Sequence, residues 1–260
     1  MHRLPGKGGI RNGLTLAPAR ILRKLGRTAE LVFFPSFCKI CACLLENPGE
    51  RILCGDCLDR IAPHRASLCP RCGRFFDGAG DDHLCGACVE TAPPFSRHRS
   101  AGRYRGVLKD VILLLKYRKN RPLGSELGRR TYEALRRDEA LWKDVDLIIP
   151  VPLHRRRRRE RGFNQAEVVA AEIGKRAEIL LARNVLKKVR HAPPQTTLER
   201  DERADNVRDA FTVVRREAVL GKVVLLVDDV YTTGATLGEC ARILLQEGAA
   251  EVRAITVAQA

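Results

Sequence analysis

Aromatic residues are scarce: Phe, Trp and Tyr make up 5% of 260 residues, with a single Trp. So little ring surface leaves base recognition by stacking without an obvious platform, since only Phe163, Phe211 and Tyr231 stand near the motifs described below. Long apolar runs are missing too. The longest candidates, Val111 to Leu115 and Val223 to Val227, fall far short of the roughly 18 residues a membrane helix needs, so no transmembrane segment is expected and the protein reads as soluble. Met1 to Arg27 is basic and contains Gly, but has no apolar core followed by a small-residue cleavage site, which argues against a secretory signal and for a cytoplasmic, reducing setting. Acidic charge is in deficit: 31 Asp+Glu face 47 Lys+Arg, a net charge of +16, whose field attracts phosphates, nucleic acid or acidic membranes. Arg outnumbers Lys 36 to 11, which suits bidentate phosphate contacts and fits a genome-wide codon bias equally well. With 45% hydrophobic and 30% charged residues, a disordered, collagen-like or coiled-coil chain is excluded.

What the chain does have is ten cysteines, and their spacing is regular. Cys38-x2-Cys41-x12-Cys54-x2-Cys57 recurs 31 positions later as Cys69-x2-Cys72-x12-Cys85-x2-Cys88. Each C-x-x-C knuckle can hold one ion with two thiolates from a tight turn, and two knuckles complete the tetrahedral set that zinc favours. In a reducing compartment this is a better reading than disulfides. A stretch of about 50 residues with few large apolar side chains builds little core, so two structural zincs would supply folding free energy. Gly55 and Gly86 follow the first cysteine of the second knuckle, and Gly73 follows Cys72, where positive φ is expected. Cys43 reads as a bystander that competes with Cys41 at most, Cys240 as a small core residue, and the repeat argues against His64 or His83 as ligands.

From Ser100 onward the texture changes to short apolar runs alternating with amphipathic helices, the pattern of an α/β domain with a mainly parallel sheet. Strands are expected at Ser100–Tyr104, Val145–Val151, Ile179–Leu181, Phe211–Val214, Val223–Val227 and Val252–Val257. Helices are expected at Gly106–Tyr117, Leu123–Leu135, Asn164 to about Arg176, and Gly234–Glu247. Thr91 to Phe95, with Pro93-Pro94, reads as a linker.

The sharpest signal runs from Val223 to Thr236. A fully apolar strand delivers Asp228 and Asp229 to its carboxyl end, and Thr232-Thr233-Gly234-Ala235-Thr236 opens directly into a helix. Ligands of open α/β sheets sit at that end. Free N–H groups and the positive end of the helix dipole would hold a phosphate there, with Thr hydroxyls as further donors. Carboxylates alongside accept hydrogen bonds from sugar hydroxyls. Neither a Walker loop nor a dinucleotide fingerprint is present, because Gly-Lys-Ser/Thr and G-x-G-x-x-G are both missing.

This segment resembles the phosphoribosyl pyrophosphate loop of type I phosphoribosyltransferases. Ile149-Pro150-Val151-Pro152, Arg161-Gly162-Phe163-Asn164-Gln165, and Gln195-Thr196-Thr197-Leu198 with Arg203, Asn206 and Phe211 narrow the resemblance to the ComF family, linked to DNA uptake in natural competence. It extends from about Phe34 to Ala258. It implies a basic tail and helix over 1–33, a double zinc ribbon over 34–90, a linker over 91–99 and a phosphoribosyltransferase-like domain over 100–260, whose parallel sheet carries helices on both faces. It further implies that Asp228 and Asp229 contact the ribose 2′- and 3′-hydroxyls. Thr232, Thr233, Gly234, Ala235 and Thr236 would hold the 5′-phosphate, and Pro150, Val151 and Pro152 would sit by the pyrophosphate, with Arg161 and Gln165 in the same binding set. Phosphoribosyl pyrophosphate or another ribose 5-phosphate compound is then the ligand, bound with Mg²⁺. A nitrogen nucleophile would attack C1 as pyrophosphate leaves, and catalysis would be positioning and charge neutralisation. Single-stranded DNA and a helicase-like ATPase are the implied partners.

Two readings stand for the six arginines and one glutamate from His154 to Arg161: a lid closing over pyrophosphate, or a mobile charged loop, solvated or gripping a nucleic-acid backbone. Asn164 is equally a helix N-cap, and Thr196-x-x-Glu199 has the form of a capping box. An enzyme and a non-catalytic adaptor that keeps the sugar-phosphate pocket as a sensor both remain open, because fold does not fix function and no pocket for the nucleophile can be identified.

Overall fold

The structure, a computed structural model, describes residues 35–45, 52–61, 67–78, 80–190 and 208–260. The tail over 1–33, Phe34, His64, Gln195-Thr196-Thr197-Leu198, Glu199, Arg203 and Asn206 lie outside the described residues. The chain divides into two compact units, Met1–Leu58 and Asp59–Ala260, so the second cysteine set shares a unit with the α/β portion.

The 31-residue repeat extends from the cysteines to the backbone. In the first unit Phe37 bridges Leu44 and helix α1 (Gly55–Asp59) follows Cys54; in the second, Leu68 bridges Phe75 and helix α2 (Gly86–Glu90) follows Cys85. Turn hydrogen bonds recur in step: the N–H groups of Cys38 and Ala42 donate to the carbonyls of Cys43 and Cys38, and those of Cys69 and Gly73 to Arg74 and Cys69. Gly55 and Gly86 depart from expectation by opening the helices, and the positive φ falls instead on Ala42 (59°) and Gly73 (66°). Gly73 is needed for space as well. A Cβ there would stand 2.5 Å from the carbonyl oxygen of His98.

The α/β portion runs β1 (Arg97–Arg103), α3 (Gly106–Tyr117), α4 (Arg121–Leu135), α5 (Glu139–Trp142), β2 (Leu147–Pro150), α6 (Arg155–Arg161), α7 (Gln165–Ala177), β3 (Leu180–Leu181), β4 (Leu186–Lys188), β5 (Phe211–Val213), β6 (Val223–Tyr231), α8 (Ala235–Gln246) and β7 (Glu251–Gln259). Five strands form one sheet in the order β1-β7-β6-β2-β3, every pair parallel, so their carboxyl ends share one edge. A parallel strand covered on both faces has no polar side to show, and β6 obeys this. Val224 and Leu226 pack with Leu237, Cys240, Ala241 and Leu244 of α8, while Leu225 and Val227, on the opposite face, are buried as well. Gly174 of α7 lies against Ile148 of β2, whose neighbours Leu147 and Ile149 belong to the α8 cluster, so helices cover both faces.

Several expectations change. β1 begins at Arg97, inside the stretch expected as linker, and Phe95 is wholly buried. Phe211–Val213 pairs antiparallel with β4 in a separate two-stranded sheet, and β4 and α5 were not anticipated. The arginine run is a helix, not a loop: the His154 ring nitrogen accepts from the Arg156 N–H at 3.3 Å and Gly162, at φ 77°, ends it. Asn164 stands at the N-cap of α7 without capping it, because its amide donates to the Val151 carbonyl at 2.9 Å. Cys240 is a buried core residue, as expected. Among the described residues no helix is long and apolar enough to cross a membrane.

Candidate functional site

β6 runs on through the two carboxylates to Tyr231, and register with β7 continues there, pairing Asp228 with Thr256 and Tyr231 with Gln259. Asp228 Oδ1 accepts from the Asp229 N–H at 2.8 Å. Burial, and then the neighbouring Asp229 charge, push the Asp228 carboxyl up to about 7. Two lysines pull the other way. Lys116, near the end of α3, reaches Asp229 Oδ2 at 3.1 Å. Lys188, at the end of β4, lies with its ammonium 5.1 Å from the centre of the Phe211 ring, and burial holds it below its ordinary value.

The loop beyond Tyr231 turns through Gly234 at φ 84° into α8, and Thr233 Oγ1 accepts from the Ala235 N–H at 3.4 Å. The first N–H groups of a helix have no intrahelical acceptor, so this end offers donors to an anion. Only Gly fits at 234, because a Cβ would run into the Tyr231 hydroxyl. Tyr231 is itself braced. Its ring stacks on His98 at 4.3 Å between centroids. His98 Nδ1 lies 2.7 Å from the carbonyl of Cys72 and Nε2 lies 2.9 Å from Thr256 Oγ1. A carbonyl only accepts, so Nδ1 carries the proton, and Nε2 accepts from the Thr256 hydroxyl in the neutral ring. Burial agrees by lowering the His98 pKa to about 4. The second cysteine set thereby supports the loop through His98 and Tyr231.

On the β2 side, the Val151 N–H donates to the Val227 carbonyl at 2.9 Å, and Arg161 donates to Gln165 Oε1 at 3.0 Å. Asn164 Oδ1 and Gln165 Nε2 are buried with no partner among the described residues. Pro150 and Pro152 line a cavity of about 280 Å³ with Asn164, Arg155, Arg158 and Lys188. Thr232 and Thr233 line a different one, about 430 Å³, with Cys72, Cys85 and Cys88 of the second cysteine set. Arg161 and Gln165 line neither.

The sulfurs of Cys38, Cys41, Cys54 and Cys57 lie within 4.8 Å of one another, as do those of Cys69, Cys72, Cys85 and Cys88. Cys41 Sγ and Cys54 Sγ are 3.5 Å apart, Cys72 Sγ and Cys85 Sγ 3.6 Å. Tetrahedral zinc with bonds of about 2.3 Å puts its sulfurs about 3.8 Å apart, so both sets fit the ion. Cys43 belongs to neither set, and His83 stacks on Phe76 instead.

Residues 159–260 match the phosphoribosyl transferase domain and residues 30–93 the double zinc ribbon domain. Competence protein F of Haemophilus influenzae is 32% identical over 172 residues, covering 65% of this chain and 75% of that protein. The chain belongs to the ComF family. A second ComF relative, DNA utilization protein YhgH of Shigella flexneri, is 33% identical over 164 residues, 62% of this chain and 71% of that protein. Among solved structures, the glutamine phosphoribosylpyrophosphate amidotransferase of B. subtilis, complexed with ADP and GMP, covers 55% of this chain and 26% of its own, at 22% identity and a TM-score of 0.34.

In this ComF chain the structure adds Lys116, Lys188 and His98 to the residues singled out from sequence. Each acts across a long sequence separation, and no local motif marks it. The one available hint was for Lys116, a cation closing the apolar face of α3 at its carboxyl end.

Proposed function

We propose that the carboxyl edge of the sheet binds phosphoribosyl pyrophosphate or a related ribose 5-phosphate compound. Asp228 and Asp229 accept from the ribose hydroxyls, and Thr232 to Thr236 hold the 5′-phosphate. Pro150, Val151 and Pro152, with Arg161 and Gln165, serve the pyrophosphate side. The observation that carries this reading is the carboxylate pair running straight into a glycine-turned helix start, in a chain with a phosphoribosyl transferase domain. Mg²⁺ prefers hard oxygen donors, which the diphosphate and carboxylates provide; when bound it neutralises the pyrophosphate. The reaction supported is phosphoribosyl transfer. A nitrogen lone pair forms the bond to C1, the C1–oxygen bond breaks with its electron pair leaving on pyrophosphate, and the nitrogen sheds a proton. The protein's share is to orient the sugar and exclude water.

The family relatives named for competence and DNA utilization support a role for this activity in DNA uptake, and the two cysteine tetrads in a double zinc ribbon support structural zinc in both sets. A second reading, a non-catalytic adaptor whose pocket senses its ligand, is favoured by Lys116, which already occupies Asp229. Calorimetry with phosphoribosyl pyrophosphate and Mg²⁺ tests the site. Asp228→Asn and Asp229→Asn each remove a charge-assisted hydrogen bond worth about 1.5–3 kcal/mol, so affinity falls roughly tenfold or more with the fold intact. Unchanged affinity in both variants moves the ligand elsewhere. Release of pyrophosphate on addition of nitrogenous acceptors separates the enzyme from the adaptor.

A further inference from the structure

The two cysteine sets match in spacing and differ in what surrounds them. All four cysteines of the second set are buried and share one apolar cluster with Leu226 of β6 and Leu237 of α8, with Tyr231 packed against it. The set is part of the core that carries the phosphate loop. In the first set Cys41 is exposed, and the turn hydrogen bonds of Cys38, Lys39 and Ala42 stay within the unit Met1–Leu58. The second set is also fastened to the sheet by its backbone. Three successive carbonyls of its first knuckle, those of Pro70, Arg71 and Cys72, accept from β1: from the Arg99 guanidinium at 3.0 Å, the His98 N–H at 2.8 Å and His98 Nδ1 at 2.7 Å. His98 then meets the site on two sides. Thr256, whose hydroxyl donates to Nε2, stands opposite Asp228 in the register of β6 and β7. Tyr231 stacks on the imidazole, and its hydroxyl lies where a side chain at Gly234 would be, at the turn into α8. Phe95, wholly buried, fixes both rings, with centroids 6.1 Å from His98 and 6.4 Å from Tyr231.

We propose that His98 is a positioning residue that couples the two sites: zinc in the second cysteine set raises affinity for a sugar-phosphate in the loop, the sugar-phosphate raises affinity for that zinc, and zinc in the first set takes no part. The coupling rests on the sugar-phosphate reading of the loop given above. Four thiolates drawn onto one ion fix the knuckle turn, and with it the three carbonyls that hold β1. When the ion leaves, the turn relaxes, His98 loses its fixed acceptor at Cys72, and the stacked Tyr231 no longer holds the Gly234 turn in place. A ligand that fastens the loop opposes the same relaxation from the other end. Such coupling is reciprocal in binding free energy, and couplings of this kind amount to about 5–150-fold in affinity.

Competition for zinc between the full-length protein and a chromogenic chelator, with and without saturating ribose 5-phosphate, tests this. Of the two zincs, one should tighten by at least about fivefold and the other stay within about twofold. Cys38→Ser with Cys41→Ser, which opens the first set, should keep the zinc that tightens. Tyr231→Leu removes the stack on His98 and should erase the shift, whereas Tyr231→Phe keeps the ring and should keep the shift. A change that only weakens the fold lowers zinc affinity equally with and without the sugar-phosphate, so the shift itself separates positioning from stability. Neither zinc tightening, both tightening alike, loss of the tightened zinc in the first-set variant, or a shift that survives Tyr231→Leu would each overturn the proposal. Should Tyr231→Leu fail to fold, the unaltered protein and the first-set variant decide the matter. Calorimetry with ribose 5-phosphate comes first: no binding to the zinc-loaded protein refutes the sugar-phosphate reading and the coupling with it, whereas binding without a zinc shift refutes the coupling alone.

Discussion

Replacing Lys116 by Met keeps the length of the side chain and removes its charge. The ion pair with Asp229 is 3.1 Å long, with side chains 16% and 14% exposed. Exposed pairs contribute about 0–1 kcal/mol, and breaking a fully buried one costs about 3–5 kcal/mol. At this degree of burial a loss of about 2 kcal/mol is expected at pH 8. Lys116 also draws the Asp228 carboxyl down, so without it that group rises above about 7. An acid whose folded pKa exceeds its ordinary 3.8 binds more protons in the native than in the unfolded state between about pH 4 and 7, and its contribution to stability falls as pH rises through that window. Lys116→Met extends the window upward, so to the deficit from the lost Asp229 pair is added an Asp228 part that grows from pH 5.5 toward pH 8. Urea unfolding of the zinc-loaded protein at both pH values reads this directly, with Lys116→Arg as the charge-retaining control. An equal deficit at both pH values, or one as large in Lys116→Arg, refutes the argument that Lys116 neutralises the carboxylate pair.

Elemental analysis should find two zincs per chain; one zinc, or retention of both in Cys38→Ser with Cys69→Ser, contradicts the paired four-thiolate sites. Gly73→Ala places a Cβ against the His98 carbonyl at φ 66°, and the left-handed strain alone costs about 1–2 kcal/mol. Its melting temperature should drop by about 5 °C, and an unchanged value shows that the knuckle does not depend on this close approach. Changing Arg155, Arg156 and Arg159 of α6 to Gln should weaken phosphoribosyl pyrophosphate binding and leave the salt slope of single-strand binding unaltered. Normal sugar-phosphate binding with a slope reduced by about 0.7 per lost phosphate contact would assign α6 to nucleic acid instead.

Where the pattern is local, sequence and structure agree closely. The apolar face of Gly106–Tyr117 defines α3 to the residue, and the cysteine spacing foretells two tetrads, around which a bridge, turn hydrogen bonds and a helix start recur at a shift of 31. Errors arise where tertiary pairing overrides local texture. β6 continues through Asp228 and Asp229 because β7 supplies hydrogen-bond partners as far as Gln259, although carboxylates usually signal a strand's end. Leu186, Lys187 and Lys188 resemble a charged loop in sequence and become β4 because β5 lies beside them. The apparent linker around Pro93-Pro94 conceals Phe95 and His98, whose burial is set by the knuckle and β7 rather than by their neighbours in sequence. The arginine run forms a helix because His154 and Gly162 close its two ends and Glu160 pairs with Arg156 one turn away, relieving part of the repulsion.

The central claim is that Asp228 and Asp229, with the loop from Thr232 to Thr236, form a sugar-phosphate site. A crystal structure with ribose 5-phosphate and Mg²⁺ tests it most directly. The account predicts phosphate density against the N–H groups opening α8, with the sugar hydroxyls on the two carboxylates. Phosphate density found only beside Arg155 to Arg161, with Asp228 and Asp229 untouched, would contradict it.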